Sequence, residues 1–192
     1  MPYTAAHKPR TRERILDSAR RLFTRSGFEG VTIDAVMAHA GLTRGGFYSH
    51  FANKAELFAA AVDSYPEITP WRTRDGQASP SSARDLAHWF IDFYLSDRML
   101  AERELRCPLF ALPGDVSRAG AAPQAAYTQL IERTVSVFRA ALPPVPGREA
   151  AAQSIVSLCV GAMLLASTTD DEALRGSLRR SAQARALALL EG

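Results

Sequence analysis

Residues 31–58 read VTIDAVMAHAGLTRGGFYSHFANKAELF, and three helix starts fall inside them. Thr32 is placed to N-cap a first helix, and Val31 before the cap and Val36 beyond it have the spacing of a hydrophobic staple. Ala40-Gly41-Leu42 breaks that helix. Thr43 is placed to cap a second, very short one, where Leu42 and Phe47 repeat the staple. Asn53 caps a third, Glu56 holds the capping-box position, and Leu57 opens an apolar face. Two helices joined by a tight glycine-containing turn make a helix-turn-helix, the geometry that sets a second helix in the major groove of DNA.

Within this stretch Val36, Met37, Ala40, Leu42, Phe47 and Phe51 form the inward set. Thr43, Arg44, Gly45, Gly46, Tyr48 and His50 form the outward one. Arg44 lies in the first turn of the short helix, where a guanidinium can reach guanine edges or phosphate. Gly45 and Gly46 each cost about 1 kcal/mol relative to alanine in a helix interior. Two of them in so short a helix point to a close approach of backbone to DNA, or else to a loose helix held only by packing.

The run GLTRGGFYSHFANKAELF, residues 41–58, resembles the signature of the TetR family of bacterial transcriptional regulators: the glycine turn, Gly45, the Phe47-Tyr48 pair, His50-Phe51 and Lys54 coincide. The resemblance covers about residues 10–60. It implies an all-α protein, with an N-terminal three-helix helix-turn-helix domain followed by a helical bundle that encloses a ligand cavity and dimerises. It also implies that Thr32, Tyr48, His50 and Lys54 hold phosphates, helped by free amides at helix N-termini. On the residues alone, the alternatives are Tyr48 as a partly buried aromatic, Lys54 as a solvated lysine, and His50 as a closure of the small core. The chain divides on this reading into a mobile basic arm (1–10), the helix-turn-helix domain (11–58) and a ligand-binding and dimerisation domain (59–192).

Charge agrees with that division. Residues 1–60 hold 9 Lys or Arg against 5 Asp or Glu, and the remaining 132 hold 14 against 15, so the net +3 is nearly all N-terminal. A basic head on a neutral body suits a polyanionic partner. Cys107 and Cys159 are too few for a disulfide framework and lack metal-ligand spacing, so no metal or cofactor is expected. His39 and His50 belong to the head, and His88 beside Trp89 has no triad around it; nothing marks an enzyme. Met1 to Arg14 is polar and basic, unlike a signal peptide. The longest apolar run, Leu158 to Ala166, falls short of the roughly 20 residues that cross a bilayer. The expectation is a soluble, cytoplasmic protein with no membrane partner.

In the arm, His7, Lys8 and Arg10, with Arg12 and Arg14 beyond, can reach phosphates or a minor groove, or remain a solvated tail. The first helix is expected from Thr11, with Ile15, Leu16, Ala19, Leu22 and Phe23 inward and Gly27 at its end; Phe28 plugs the same core. Residues 65–82 carry three prolines, a glycine and three serines and read as a linker, with Trp71 inside it. From Arg84 a helix shows Leu86, Trp89, Phe90, Phe93 and Tyr94 at helical spacing, either core or the wall of a ligand pocket. Residues 95–119 resemble a segment of one branch of TetR regulators, in which Cys-Pro-Leu opens a short helix, although Pro113-Gly114 interrupts it here. Pro108 suits a first helical position with Cys107 as cap. A thiol there, beside Arg106, has its thiolate stabilised, or is simply small and buried. Trp89, Phe93, Tyr94, Cys107 and Phe110 are the candidate ligand contacts. A long helix begins near Pro123 and stops at PPVPG, residues 143–147. Two more follow, about 148–168 and 171–190, the second with Leu174, Leu178, Ala182, Ala186 and Leu189 on one side. Ala162, Ala166, Ala182 and Ala186 permit close packing, within one chain or with a second copy in a four-helix interface.

The function expected is a ligand-responsive DNA-binding regulator. It acts as a homodimer on a palindromic double-stranded operator, as a repressor released by a small apolar or aromatic inducer. Two alternatives stay open: a redox or electrophile sensor acting through Cys107, and a constitutive DNA-binding protein without inducer.

Overall fold

The structure, a computed structural model, describes residues 7–65 and 80–192. The first six residues of the arm, and Trp71 with most of the proline-rich 65–82 stretch, lie outside the described residues. The described residues fold into helices: α1 (His7–Ser26), α2 (Ile33–His39), a 3₁₀ helix (Arg44–Ser49), α3 (Lys54–Asp63), α4 (Ala83–Tyr94), α5 (Asp97–Ala101), a 3₁₀ turn (Arg103–Leu105), α6 (Pro108–Ala111), α7 (Pro113–Arg118), α8 (Ala121–Ala141), α9 (Arg148–Thr168) and α10 (Glu172–Glu191). Two compact units form, one from Met1–Tyr65 with Arg103–Leu130, the other from Pro66–Glu102 with Ile131–Gly192.

In the first unit, α1 begins at His7, four residues before the expected Thr11. Pro9 does not prevent this, because the amides of a helix's first turn have no intrahelical partner to lose. Ile15, Ala19, Phe23, Val36, Met37, Phe47, Phe51, Leu57 and Phe58 make the core. Phe23 meets Phe58 edge-on at 4.9 Å, and Phe28 joins them 5.0 Å from Phe58. Leu42, expected inside, is half-exposed. Thr32 caps α2 by accepting from the Ala35 amide (3.1 Å) between buried Val31 and Val36, and Asn53 caps α3 by accepting from the Glu56 amide (2.8 Å). Glu56 reaches back to the Ala52 amide, one residue before the usual capping-box target.

Residues 103–118 pack with these N-terminal helices, whereas the sequence placed them with the body. The Thr24 hydroxyl donates to the Glu104 carbonyl (3.3 Å), and Arg21 and Arg25 each lie 3.6 Å from the Glu104 carboxylate. Gly27, at φ 72°, ends α1 in the left-handed conformation, and the next amide, Phe28, donates to Asp115 Oδ1 at 2.8 Å. Cys107 stands at the N-cap of α6 without a side-chain cap bond, followed by Pro108 at the first position.

In the second unit, Ser82 caps α4 and Asp171 caps α10. Ala87, Ile91 and Tyr94 take the buried positions of α4, leaving Trp89 and Phe93 half-exposed. Helices α9 and α10 pack through the small side chains foreseen, with Ala162, Ala166, Ala182 and Ala186 all buried. Leu190 is fully buried at the end of α10 while Leu174 is 48% exposed, so the inward stripe is displaced from the one expected. Arg179 donates to the Leu95 carbonyl (2.8 Å) and pairs with Asp97, pinning α10 to the turn after α4. Counting an unbroken apolar run underestimated α9. Its 21 residues contain an 18-residue window of mean hydropathy 1.7, long and apolar enough by length and composition to cross a membrane, because alanines offset its few small polar residues. Seven of its residues, from Ala152 to Ala166, are buried at helical spacing, as on a core helix.

Replacing Asp115 with alanine leaves the Phe28 amide without its acceptor. The expected cost is about 1 kcal/mol, read as a lower midpoint in urea unfolding.

Candidate nucleic-acid interface

The outward residues of the helix-turn-helix are assembled by its caps and its core. Thr32, exposed at the start of α2, commits its hydroxyl to the Ala35 amide. Thr43 has the extended backbone of an N-cap and is exposed, but makes no side-chain cap bond. Between Arg44 and Ser49 the very short second helix expected after Thr43 winds as a 3₁₀ helix. Phe47 is wholly buried and faces in; Tyr48, 60% exposed, faces out with its ring edge-on to Phe47 at 5.2 Å. Arg44 is exposed and paired at 2.6 Å with Asp34, in the first turn of α2. Such a solvent-exposed pair holds by no more than about 1 kcal/mol, so the guanidinium is easily recruited elsewhere.

The two glycines differ from the rest of the turn. Beyond its chain neighbours and its own helix backbone, a Cβ added to Gly45 would meet no atom within 4 Å, and one on Gly46 would only touch Met37 Cε at 3.7 Å. Neither has a positive φ. The fold itself therefore has no need of glycine at either position.

His50 closes the 3₁₀ helix. Loss of solvent, then the nearby Lys8 and Arg12 cations, hold its pKa below the ordinary 6.5. Lys54 does not merely project into solvent: its ammonium sits 4.2 Å from the centre of the Phe28 ring, a cation–π contact that explains a cation at the wrong end of a helix dipole. Asp34 was not among the residues singled out from the sequence, and Lys8 and Arg12 were read only as arm cations able to reach phosphates or a minor groove, with no link to His50. Their roles depend on contacts between helices, which local spacing does not reveal.

The candidate ligand contacts divide between the two units. Trp89 and Phe93 stack at 4.9 Å, one turn apart on α4, and buried Tyr94 stacks on Phe90 at 5.2 Å. Cys107 and Phe110 are buried in the first unit, where the Tyr127 hydroxyl donates to the Leu109 carbonyl at 2.7 Å. Burial, helped by Cys107, pushes the Tyr127 hydroxyl up to about 12. An open groove of about 960 Å³ lies elsewhere in that unit, along Arg10, Arg14, Asp17, Arg20, His39 and Gly41. Charged residues make up most of its lining, and no aromatic ring other than the His39 imidazole is among them.

Cys107 and Cys159 are 4% and 1% exposed, and neither is in a disulfide. Reactive thiols need access as well as a lowered pKa, so the sensor reading gains no support. Burial pushes the Cys159 thiol from 9.0 up to about 12. Iodoacetamide at about pH 8 is expected to label Cys159 only after unfolding. The stability gained by keeping this thiol neutral is complete below pH 9 and is lost as pH rises towards 12.

Residues 15–61 match the model of the bacterial regulatory proteins of the tetR family. The chain is 41% identical over 61 residues to the HTH-type transcriptional regulator SrpR of Pseudomonas putida, covering 32% of this chain and 29% of that protein. It is 40% identical over 75 residues to the HTH-type transcriptional regulator TtgR, also of Pseudomonas putida, covering 39% of this chain and 33% of that protein. Matched segments thus span less than half the length of these relatives. Among solved structures, the reduced form of E. coli NemR aligns with a TM-score of 0.71 at 19% identity, over 92% of this chain and 94% of that one. A TetR transcriptional regulator from Chloroflexus aurantiacus aligns with a TM-score of 0.72 at 22% identity, over 97% and 96%. At these identities the structural likeness speaks for the fold.

Proposed function

Since this chain carries the TetR-family regulatory domain over residues 15–61, on the all-helical fold of solved TetR-family regulators, we propose that it is a DNA-binding transcriptional regulator. Its 3₁₀ helix enters the major groove and its partner is a double-stranded operator. The observation that carries this reading is Gly45. Exposed, with nothing beyond its chain neighbours and its own helix backbone within 4 Å of its missing Cβ, and with no positive φ, it is dispensable to the protein. A residue that costs helix stability yet serves no internal contact answers to something outside, and a nucleic-acid backbone drawn close to the chain is that partner. Arg44 then reads base edges or phosphate; Thr43, Gly46 and Tyr48 line the approach; and Thr32, His50 and Lys54 flank it at the phosphates.

The chain works as a homodimer in the cytoplasm, on an inverted-repeat operator. One small head meets few phosphates, and two linked heads double them. Leu164 and Leu165 on α9 are 38% and 55% exposed, and Leu174 on α10 is 48% exposed. These leucines, on the most apolar helix and its neighbour, suit a second copy of the pair better than a bilayer, because the other face of α9 is already core. The half-exposed Trp89–Phe93 stack offers flat apolar surface to a small aromatic inducer, whose binding releases the operator in the manner of a repressor. Such control needs a coupling of roughly 1–3 kcal/mol between body and head.

The test is fluorescence anisotropy with the DNA flanking its own gene. Gly45→Ala is expected to melt at or slightly above the wild-type temperature, since alanine is the better helix former by about 1 kcal/mol, yet to bind at least tenfold more weakly, at a cost of roughly 1.4 kcal/mol. Unchanged affinity removes the close-approach argument. Leu165→Glu is expected to sediment as a monomer where the wild type sediments as a dimer, and to lose about one head's share of the salt dependence of binding.

A further inference from the structure

Most of the basic side chains on α1 are engaged within the protein. Arg14 donates to the Ala40 carbonyl at 2.6 Å. Arg20 bonds Asp17 and the Ser64 carbonyl. Arg21 pairs with Asp17 and Glu104, and Arg25 with Glu104. Lys8 and Arg12 differ: both are exposed, and among the described residues neither has a carboxylate or carbonyl partner. They stand four residues apart, on one face of the helix, where like charges repel. The Arg12 guanidinium lies 4.8 Å above the centre of the buried Phe51 ring, which fixes it beside the residue preceding that ring, His50.

His50 feels both cations. The neighbouring ions do not offset them, because Lys54 rests on Phe28, Glu56 accepts from the Ala52 amide, and Arg44 is paired with Asp34. The first turns of α1 and the end of the 3₁₀ helix thus bring together an arginine held on a ring, an exposed lysine and an imidazole, with no ion-paired carboxylate among them in the described residues.

We propose that Lys8, Arg12 and His50 form one seat for a phosphate group, supplied by the DNA backbone, and that filling this seat places a proton from solvent on His50. This rests on the DNA-binding reading and adds α1 to the contact surface. In the unbound protein the two cations favour the neutral imidazole. A phosphate reverses that balance and raises the pKa of His50 in the complex. Affinity is therefore greatest at low pH and falls as pH rises through the pKa of the complex.

The test measures anisotropy of a labelled mixed-sequence duplex across salt concentrations, at about pH 6 and about pH 8. In parallel, the His50 imidazole is titrated by NMR with and without inorganic phosphate. The wild type is expected to bind several-fold more tightly at the lower pH. Lys8→Gln with Arg12→Gln should flatten the log-affinity against log-salt slope by roughly 0.9 for each phosphate no longer neutralised, while Lys8→Arg keeps it. His50→Gln should abolish the pH response. Duplex binding whose slope and pH response are untouched by all these changes overturns the seat. If the duplex does not bind but inorganic phosphate raises the His50 pKa in a Lys8- and Arg12-dependent way, the seat stands and the DNA reading falls. If neither ligand is felt, both fall.

Discussion

A 3₁₀ helix running from Arg44 to Ser49 with two glycines in it is not self-supporting. Its hydrogen bonds are poorer than those of an α-helix, runs beyond three or four residues are uncommon, and each glycine adds about 1 kcal/mol of penalty. What offsets this is one ring. Phe47 is completely buried, and burying such a side chain contributes roughly 1.5–3 kcal/mol. With Phe47 anchored, and Phe51 behind it, the intervening residues have no freedom to roll, and Arg44, Gly45 and Tyr48 face solvent. The outward surface is thus a consequence of one inward contact.

The same aromatic core organises the charge. Arg12 lies over Phe51 and Lys54 over Phe28, so rings that fill the interior also fix cations at its rim. Cations held this way are ordered without being neutralised, and remain available to an external anion. Farther along α1 the arginines serve the fold instead, joined to Asp17, Glu104 and two backbone carbonyls. A basic excess counted from composition does not distinguish these two populations. Their partners do.

Much of this architecture was legible because its signals are local. The caps at Thr32 and Asn53 bond an amide three residues on, and the limits of α9 and α10 fall within a residue or two of those expected. Gly27 and Gly147 mark where chain direction changes, both at positive φ. What escaped depends on distant pairs. Asp115 meets the Phe28 amide across 87 residues, and Glu104 meets Thr24 across 80, so residues 103–118 join the N-terminal helices although nothing in their own pattern says so. The aromatic stripe of α4 was visible, but which of its rings faced inward was not, since Ala87 and Ile91 took the buried positions. In the candidate interface, the outward residues were legible from the glycine turn. Their sorting into paired, ring-bound and unopposed cations required the helices to be assembled.

The central claim is that the surface around Gly45 reads duplex DNA as a symmetric pair. It is tested most directly by selecting bound duplexes from a random-sequence library with the full chain and sequencing them over successive rounds. The expected outcome is convergence on an inverted repeat, its half-sites set by the spacing of two heads. Recovery of the starting library, with no sequence enriched, would contradict the claim.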